Sequence, residues 1–191
     1  MLKFDHVSFS YENKPILNDF SLSVKKGEIV AIMGASGIGK STILNLAAGI
    51  LKPQSGTVPS EAKKISYAFQ EPRLFPWLST IDNVNAVLSA KKETLKDAKR
   101  ALEFVELSGN ETLSPSELSG GMKSRVSLAR AIAYNGDLYL LDEPFAALDE
   151  SLKERLTKKL RQHIKERGAT ALFVTHQASD AKLLADRIIT I

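Results

Sequence analysis

Ile29-Val30-Ala31-Ile32-Met33-Gly34-Ala35-Ser36-Gly37-Ile38-Gly39-Lys40-Ser41-Thr42 is the stretch whose reading decides the fold. It opens as a short apolar run and passes through three glycines in six residues. It then continues into Ile43-Leu44-Asn45-Leu46-Ala47-Ala48, which has helical rather than strand character. The order is strand, phosphate loop, helix. Gly34, Gly39, Lys40 and Ser41 fill the spacing G-x-x-x-x-G-K-[ST], in which glycines let backbone N–H groups turn inward on phosphate oxygens. Lys40 is expected to neutralise the β- and γ-phosphates and Ser41 to ligate Mg²⁺. The helix starting near Lys40 turns its positive N-terminus to the same anion. A purely structural Gly-rich turn has no use for Lys-Ser after its last glycine.

Working outward, the strand that follows Glu28 is preceded by two patches of alternating apolar residues. Phe4, Val7 and Phe9 form one, Phe20, Leu22 and Val24 the other, and the turn cluster Glu12-Asn13-Lys14-Pro15 lies between them. An antiparallel pair is expected, with Tyr11 at the end of its first strand. The Tyr11 ring suits either an adenine stack or turn packing. On the other side, Gly49 to Gly56 is dense in helix stops, and Ile65, Tyr67 and Phe69 alternate into another strand. Gln70 then stands where it can touch a metal or water beside the phosphates. Two prolines keep Pro72-Arg73-Leu74-Phe75-Pro76-Trp77 out of helix, so Phe75 and Trp77 are either core anchors or a docking surface.

Leu95, Ala98, Leu102 and Val105 mark one apolar helical face, and Ser119-Gly120-Gly121 opens a second helix whose N-terminus offers another anion site. Asp137 to Glu143 is an apolar strand ending in two carboxylates. In a doubly wound sheet such strand ends face the ligand crevice, which places Asp142 and Glu143 near the phosphate loop. One carboxylate can hold Mg²⁺ and the other can accept a proton from attacking water. Leu152, Leu156, Leu160 and Ile164 form a buried helical stripe, beside which His163 reads as a helix-surface residue. Thr170 to Thr175 is a strand ending at His176, and Arg187 to Ile191 a last short one.

The bulk properties narrow the field. With 191 residues, 43% of them hydrophobic, the chain suits one compact unit with at most one inserted subdomain. It has no cysteine, which excludes disulfides and thiolate metal sites, and its histidines His6, His163 and His176 lack zinc-ligand spacing. The acidic start Leu2-Lys3-Phe4-Asp5-His6 is not a secretory signal, and no segment approaches the roughly 20 apolar residues of a membrane span. The net charge of +4 is mild. Its lysines alternate with acids, as in Lys91-Lys92-Glu93 and Lys153-Glu154-Arg155, which describes a solvated helix face and no nucleic-acid partner.

These motifs, in this order, resemble the nucleotide-binding subunit of an ABC transporter over nearly the whole chain. Leu118-Ser119-Gly120-Gly121-Met122 is the family's signature and the most specific of the matches. The resemblance implies an α/β fold: a P-loop NTPase core of mostly parallel sheet flanked by helices, with an N-terminal antiparallel portion and an inserted helical subdomain. The core would comprise residues 1–80 and 124–191, and the helical signature subdomain 81–123. It also implies ATP and Mg²⁺ as ligands. Gly34, Ala35, Ser36, Gly37, Ile38, Gly39, Lys40, Ser41 and Thr42 would be Walker A, Leu138 to Asp142 Walker B, and Gln70 the Q-loop glutamine. Glu143 would be the catalytic glutamate, Asp149 the D-loop aspartate, His176 the switch histidine and Tyr11 the adenine-stacking aromatic.

The resemblance further implies an ATP-dependent head-to-tail homodimer in which Ser119, Gly120 and Gly121 meet the γ-phosphate held by the other copy. Phe75, Pro76 and Trp77 would grip a transmembrane permease subunit, with a solute-binding protein as indirect partner and the cytoplasmic face of the membrane as location. The wording Phe69 to Leu78 is similar to importers of the nitrate, sulfonate and taurine group. A soluble family member acting on nucleic acid or ribosomes is the alternative, but lacks the expected coiled-coil insertion or second cassette here. Three departures stand out. Ser124 replaces a usual glutamine, putting a ribose contact in doubt; Gly56 to Ile65 is short; and the chain stops at Ile191, so no substrate-sensing tail is expected.

Overall fold

The computed structural model describes residues 1–12, 14–88 and 94–191. Asn13 of the expected turn and the charge run Lys91-Lys92-Glu93 lie outside the described residues. Five strands, β3 (Ile29–Met33), β5 (Ile65–Ala68), β6 (Leu138–Asp142), β7 (Thr170–Thr175) and β8 (Arg187–Thr190), form a parallel sheet in the order β5-β6-β7-β3-β8. A second, antiparallel sheet runs β2-β1-β4, from β1 (Leu2–Tyr11), β2 (Lys14–Val24) and β4 (Ser55–Thr57). This is the α/β architecture expected from the motifs.

The central strands are apolar throughout because both faces of the parallel sheet are covered. Their side chains alternate between two cores. Ile29, Ala31, Tyr139, Leu141, Ala171 and Phe173 point to one side, while Val30, Ile32, Leu138, Leu140, Leu172 and Val174 point to the other. The first core is completed by α4 (Gly120–Tyr134), α5 (Glu150–Glu166) and α6 (Ala178–Leu184), the second by α1 (Lys40–Ala47) and the antiparallel sheet. Two more helices, α2 (Thr80–Asn85) and α3 (Thr94–Phe104), pack on each other and on α4.

Particular residues depart from the expected pattern. The first strand alternates irregularly because the β1–β2 register shifts between Phe4 and Val7 and again between Val7 and Phe9, with His6 at φ 51. Leu95 does not join Ala98, Leu102 and Val105 in the buried stripe: it is 47% exposed, and Leu107, past the helix, fills the core with the other three. His163 is half-buried, not a plain helix-surface residue. Its Nε2 lies 3.1 Å from the Tyr139 hydroxyl and its ring packs edge-on to Phe104, so burial pushes its pKa down. Neither contact leaves a trace in the α5 periodicity, since Tyr139 and Phe104 arrive from a strand and another helix.

Candidate active site

All five parallel strands run in one direction, so their carboxyl ends share one edge of the sheet. Past those ends lie Gly34 after β3, Gln70 after β5, Glu143 after β6 and His176 after β7. Between them and the antiparallel sheet is a cavity of about 360 Å³. Ser36, Gly37, Gly39, Lys40, Ser41 and Thr42 line it from the phosphate loop, Gln70 and Glu143 from the neighbouring strand ends, and Tyr11 from the end of β1. Tyr11 is 46% exposed with its ring edge-on to Phe9 at 4.9 Å, so it packs at its base and still presents ring surface to the cavity. Lys14 and Ile16 line the same cavity and escape a reading by motif. The signal for Lys14 is the hairpin register, which pairs it with Tyr11.

The loop is shaped for an anion. Of the backbone N–H groups from Ala35 to Gly39, the only one with an acceptor among the described residues is that of Ile38, bonded to the Ala35 carbonyl at 3.4 Å. The others remain open donors at the N-terminus of α1. Gly39 is the helix N-cap at φ 115, a conformation closed to L side chains, and a Cβ there would meet Ile16 at 2.6 Å. Lys40 is buried, and its ammonium donates to the Gly34 and Ala35 carbonyls at 2.9 Å each, closing the loop from inside.

The acids at the end of β6 sit in different environments. Asp142 is 4% exposed, and its Oδ1 is buried with no hydrogen-bond partner among the described residues. Burial raises its pKa, against the pull of the Ser41 hydroxyl and, more weakly, of Lys40. Glu143 adopts φ 48, a left-handed backbone uncommon outside glycine, which turns its carboxylate out of the strand. Glu143 Oε2 lies 3.0 Å from His176 Nδ1. An ionised carboxylate only accepts, so Nδ1 carries the hydrogen.

Ser119, Gly120 and Gly121 do not line this cavity. Ser119 caps α4, accepting from the Met122 N–H at 3.2 Å, and both Ser119 and Gly120 are exposed. A Cβ on Gly121 would meet the Ala147 carbonyl at 2.7 Å, so the glycine allows α4 to start against the loop before Asp149. Asp149 caps α5 by accepting from Leu152 N–H at 3.0 Å. Ser124, at the departure from the signature, bonds back to the Gly120 carbonyl at 3.2 Å. Trp77 is 77% exposed and lies 5.6 Å from Phe75, which excludes a core role for the tryptophan. Buried Asn83 holds their loop through bonds to the backbone of Phe75, Leu78 and Ser79.

The ABC transporter family model matches residues 17–146. The chain belongs to the ABC transporter family. This ABC cassette is therefore an ATP-binding ATPase subunit, in agreement with its phosphate loop. It is 39% identical to an aliphatic sulfonates import ATP-binding protein of Rhodococcus jostii, over 96% of this chain and 76% of that protein. A sulfate/thiosulfate import ATP-binding protein of Mesorhizobium japonicum is 36% identical over 96% of this chain, which spans only 58% of that relative's length. Among solved structures, the dimeric bacterial ABC transporter cassette MJ0796 matches with a TM-score of 0.93 at 32% identity, over 100% of this chain and 94% of that one. A dimeric post-hydrolysis state of MJ0796 bound to ADP and Pi matches with a TM-score of 0.92. Among the described residues, no helix of this ABC cassette is long and apolar enough to cross a membrane.

Proposed function

We propose that this chain hydrolyses ATP to power a membrane importer of a small sulfur oxyanion or sulfonate. The solute class rests on the names of its relatives, the chemistry on one observation: the open-amide loop, the orphaned Asp142 Oδ1 and the Glu143–His176 pair meet at one edge of the sheet. The loop amides and Lys40 bind the phosphates, while Tyr11 stacks on the base. Asp142, buried and lacking a hydrogen-bond partner for Oδ1, fits a Mg²⁺ site together with Ser41 and Gln70. Bound there, Mg²⁺ supplies charge neutralisation on the phosphate oxygens. Glu143 takes the proton of the attacking water, and His176, bonded to Glu143 through Nδ1, holds that geometry.

The signature Ser119-Gly120-Gly121, exposed at Ser119 and Gly120, completes this site in a second copy together with Asp149, giving a head-to-tail pair with two nucleotides between them. Residues 81–123 are read as the helical subdomain that carries the signature. Phe75 and Trp77, exposed on a pinned loop, form the contact for a permease at the cytoplasmic face, which a solute-binding protein serves from the other side. The Glu143→Gln variant tests the reading. It keeps ATP binding and accumulates a nucleotide-bound dimer while turnover falls by roughly 10²-fold or more, the usual contribution of a general base. A wild-type rate in this variant would remove Glu143 from the chemistry.

A further inference from the structure

One buried cation lies outside the chemistry described so far. Lys153, in the first turn of α5, is 4% exposed, so the solvated face expected for Lys153-Glu154-Arg155 does not include it. Its Nζ donates to the side-chain carbonyl of Gln177 in a very close contact and to Glu150 at 3.3 Å, and it lies 3.9 Å from Asp180 Oδ1. Asp180, on α6, is itself only 3% exposed. A buried ion pair rarely adds net stability over apolar packing, so its placement asks what arrangement it specifies.

Gln177 gives the answer. It is the N-cap residue of α6, but its side chain makes no capping bond and is turned to Lys153 instead. Its N–H donates to Thr175 Oγ1 at 3.0 Å. The preceding residue, His176, has a side chain 49% exposed and receives little support from packing. The bond from its Nδ1 to Glu143 therefore depends on where the backbone at 176–177 is held. We propose that Gln177, anchored by Lys153, is a positioning residue that fixes His176 against Glu143. Because Lys153 stands one helical turn after Asp149, the same anchor ties the start of α5 to the His176 loop. The inference rests on the hydrolytic reading above and deepens it.

The test uses the full chain with MgATP. Gln177→Leu removes the acceptor while leaving Lys153 paired with Asp180, so the buried pair stays intact. The expected result is a fall in kcat of about tenfold or more, from misplacing a reacting-site group, with KM for ATP within about twofold of wild type. Gln177→Glu, which restores an acceptor, recovers the rate, and Gln177→Leu slows a His176→Ala enzyme no further. A readout independent of turnover is the imidazole ¹⁵N spectrum, simple in a chain with 3 histidines. In the wild type the Glu143 bond holds His176 in the Nδ1–H tautomer, so its two nitrogens give well-separated signals, and in Gln177→Leu exchange with the Nε2–H tautomer draws them together. Unchanged His176 signals with wild-type kcat in Gln177→Leu would overturn the proposal, as would losses that multiply with His176→Ala. If His176→Ala itself turns over normally, the role of His176 in hydrolysis falls, while the ¹⁵N signals still report whether Gln177 holds the ring.

Discussion

The burial of Asp142 costs the fold stability. A carboxylate 4% exposed, with one oxygen lacking any partner among the described residues, is a strained group in the folded chain, and burial raises its pKa accordingly. Asp142→Asn is expected to raise the melting temperature of the nucleotide-free protein, since about 1 kcal/mol corresponds to roughly 2–4 °C at this size. The same substitution should abolish the extra stabilisation that Mg²⁺ adds to ATP. Melting curves with ATP plus EDTA and with MgATP, for both proteins, measure the two effects together. A variant that melts lower without nucleotide and still responds to Mg²⁺ would exclude Asp142 as the cation's anchor. The neighbouring Glu143 differs because its left-handed backbone takes its carboxylate to His176, which is why two adjacent acids can hold different roles.

Between elements, Glu106 joins the end of α3 to α5. Its carboxylate receives Arg155 at 2.9 Å and Lys159 at 3.1 Å, while Arg125 of α4 donates to its backbone carbonyl at 2.8 Å. The Arg155 bond, ahead of the Lys159 bond and both charges, depresses its pKa from the ordinary 4.5 to about 2. A depressed carboxylate stabilises the fold above its unfolded pKa and loses that contribution as pH falls through the folded one. The stability gap between wild type and Glu106→Gln should therefore be full at pH 6 and close between pH 4.5 and about 2. For a partly exposed network the gap is of order 1 kcal/mol, read from urea unfolding at each pH. A gap that widens on acidification would contradict the network's sign. Such joints were invisible in the sequence, where Glu106, Arg155 and Lys159 are unrelated surface charges. What was legible was local: β3, β6 and β7 announce themselves as apolar runs that end in Gly34, Asp142 and His176. The helices α2 and α6, of 6 and 7 residues, are too short to show a period. The half-burial of His163 and the Lys153–Gln177–Asp180 cluster depend on partners from other elements.

For the whole molecule, the cavity and the signature stand apart: Ser119 and Gly120 are exposed and do not line the site their own chain builds. In a two-fold dimer, any residue of one copy that meets a second residue of its partner is matched by the reverse contact, so one interface completes two sites. The absence of cysteine makes this arrangement directly testable. Ile38, 43% exposed on the phosphate loop, and Ser119 supply the two positions. Chains carrying Ile38→Cys and chains carrying Ser119→Cys, each in a Glu143→Gln background, are mixed with MgATP and treated with a short bis-maleimide. The head-to-tail arrangement predicts a cross-linked dimer from the mixture and little from either chain alone, with the product lost when ATP is omitted. Cross-linking of Ser119→Cys chains to one another would instead place the two signatures face to face, and each ATP would then lie within a single copy.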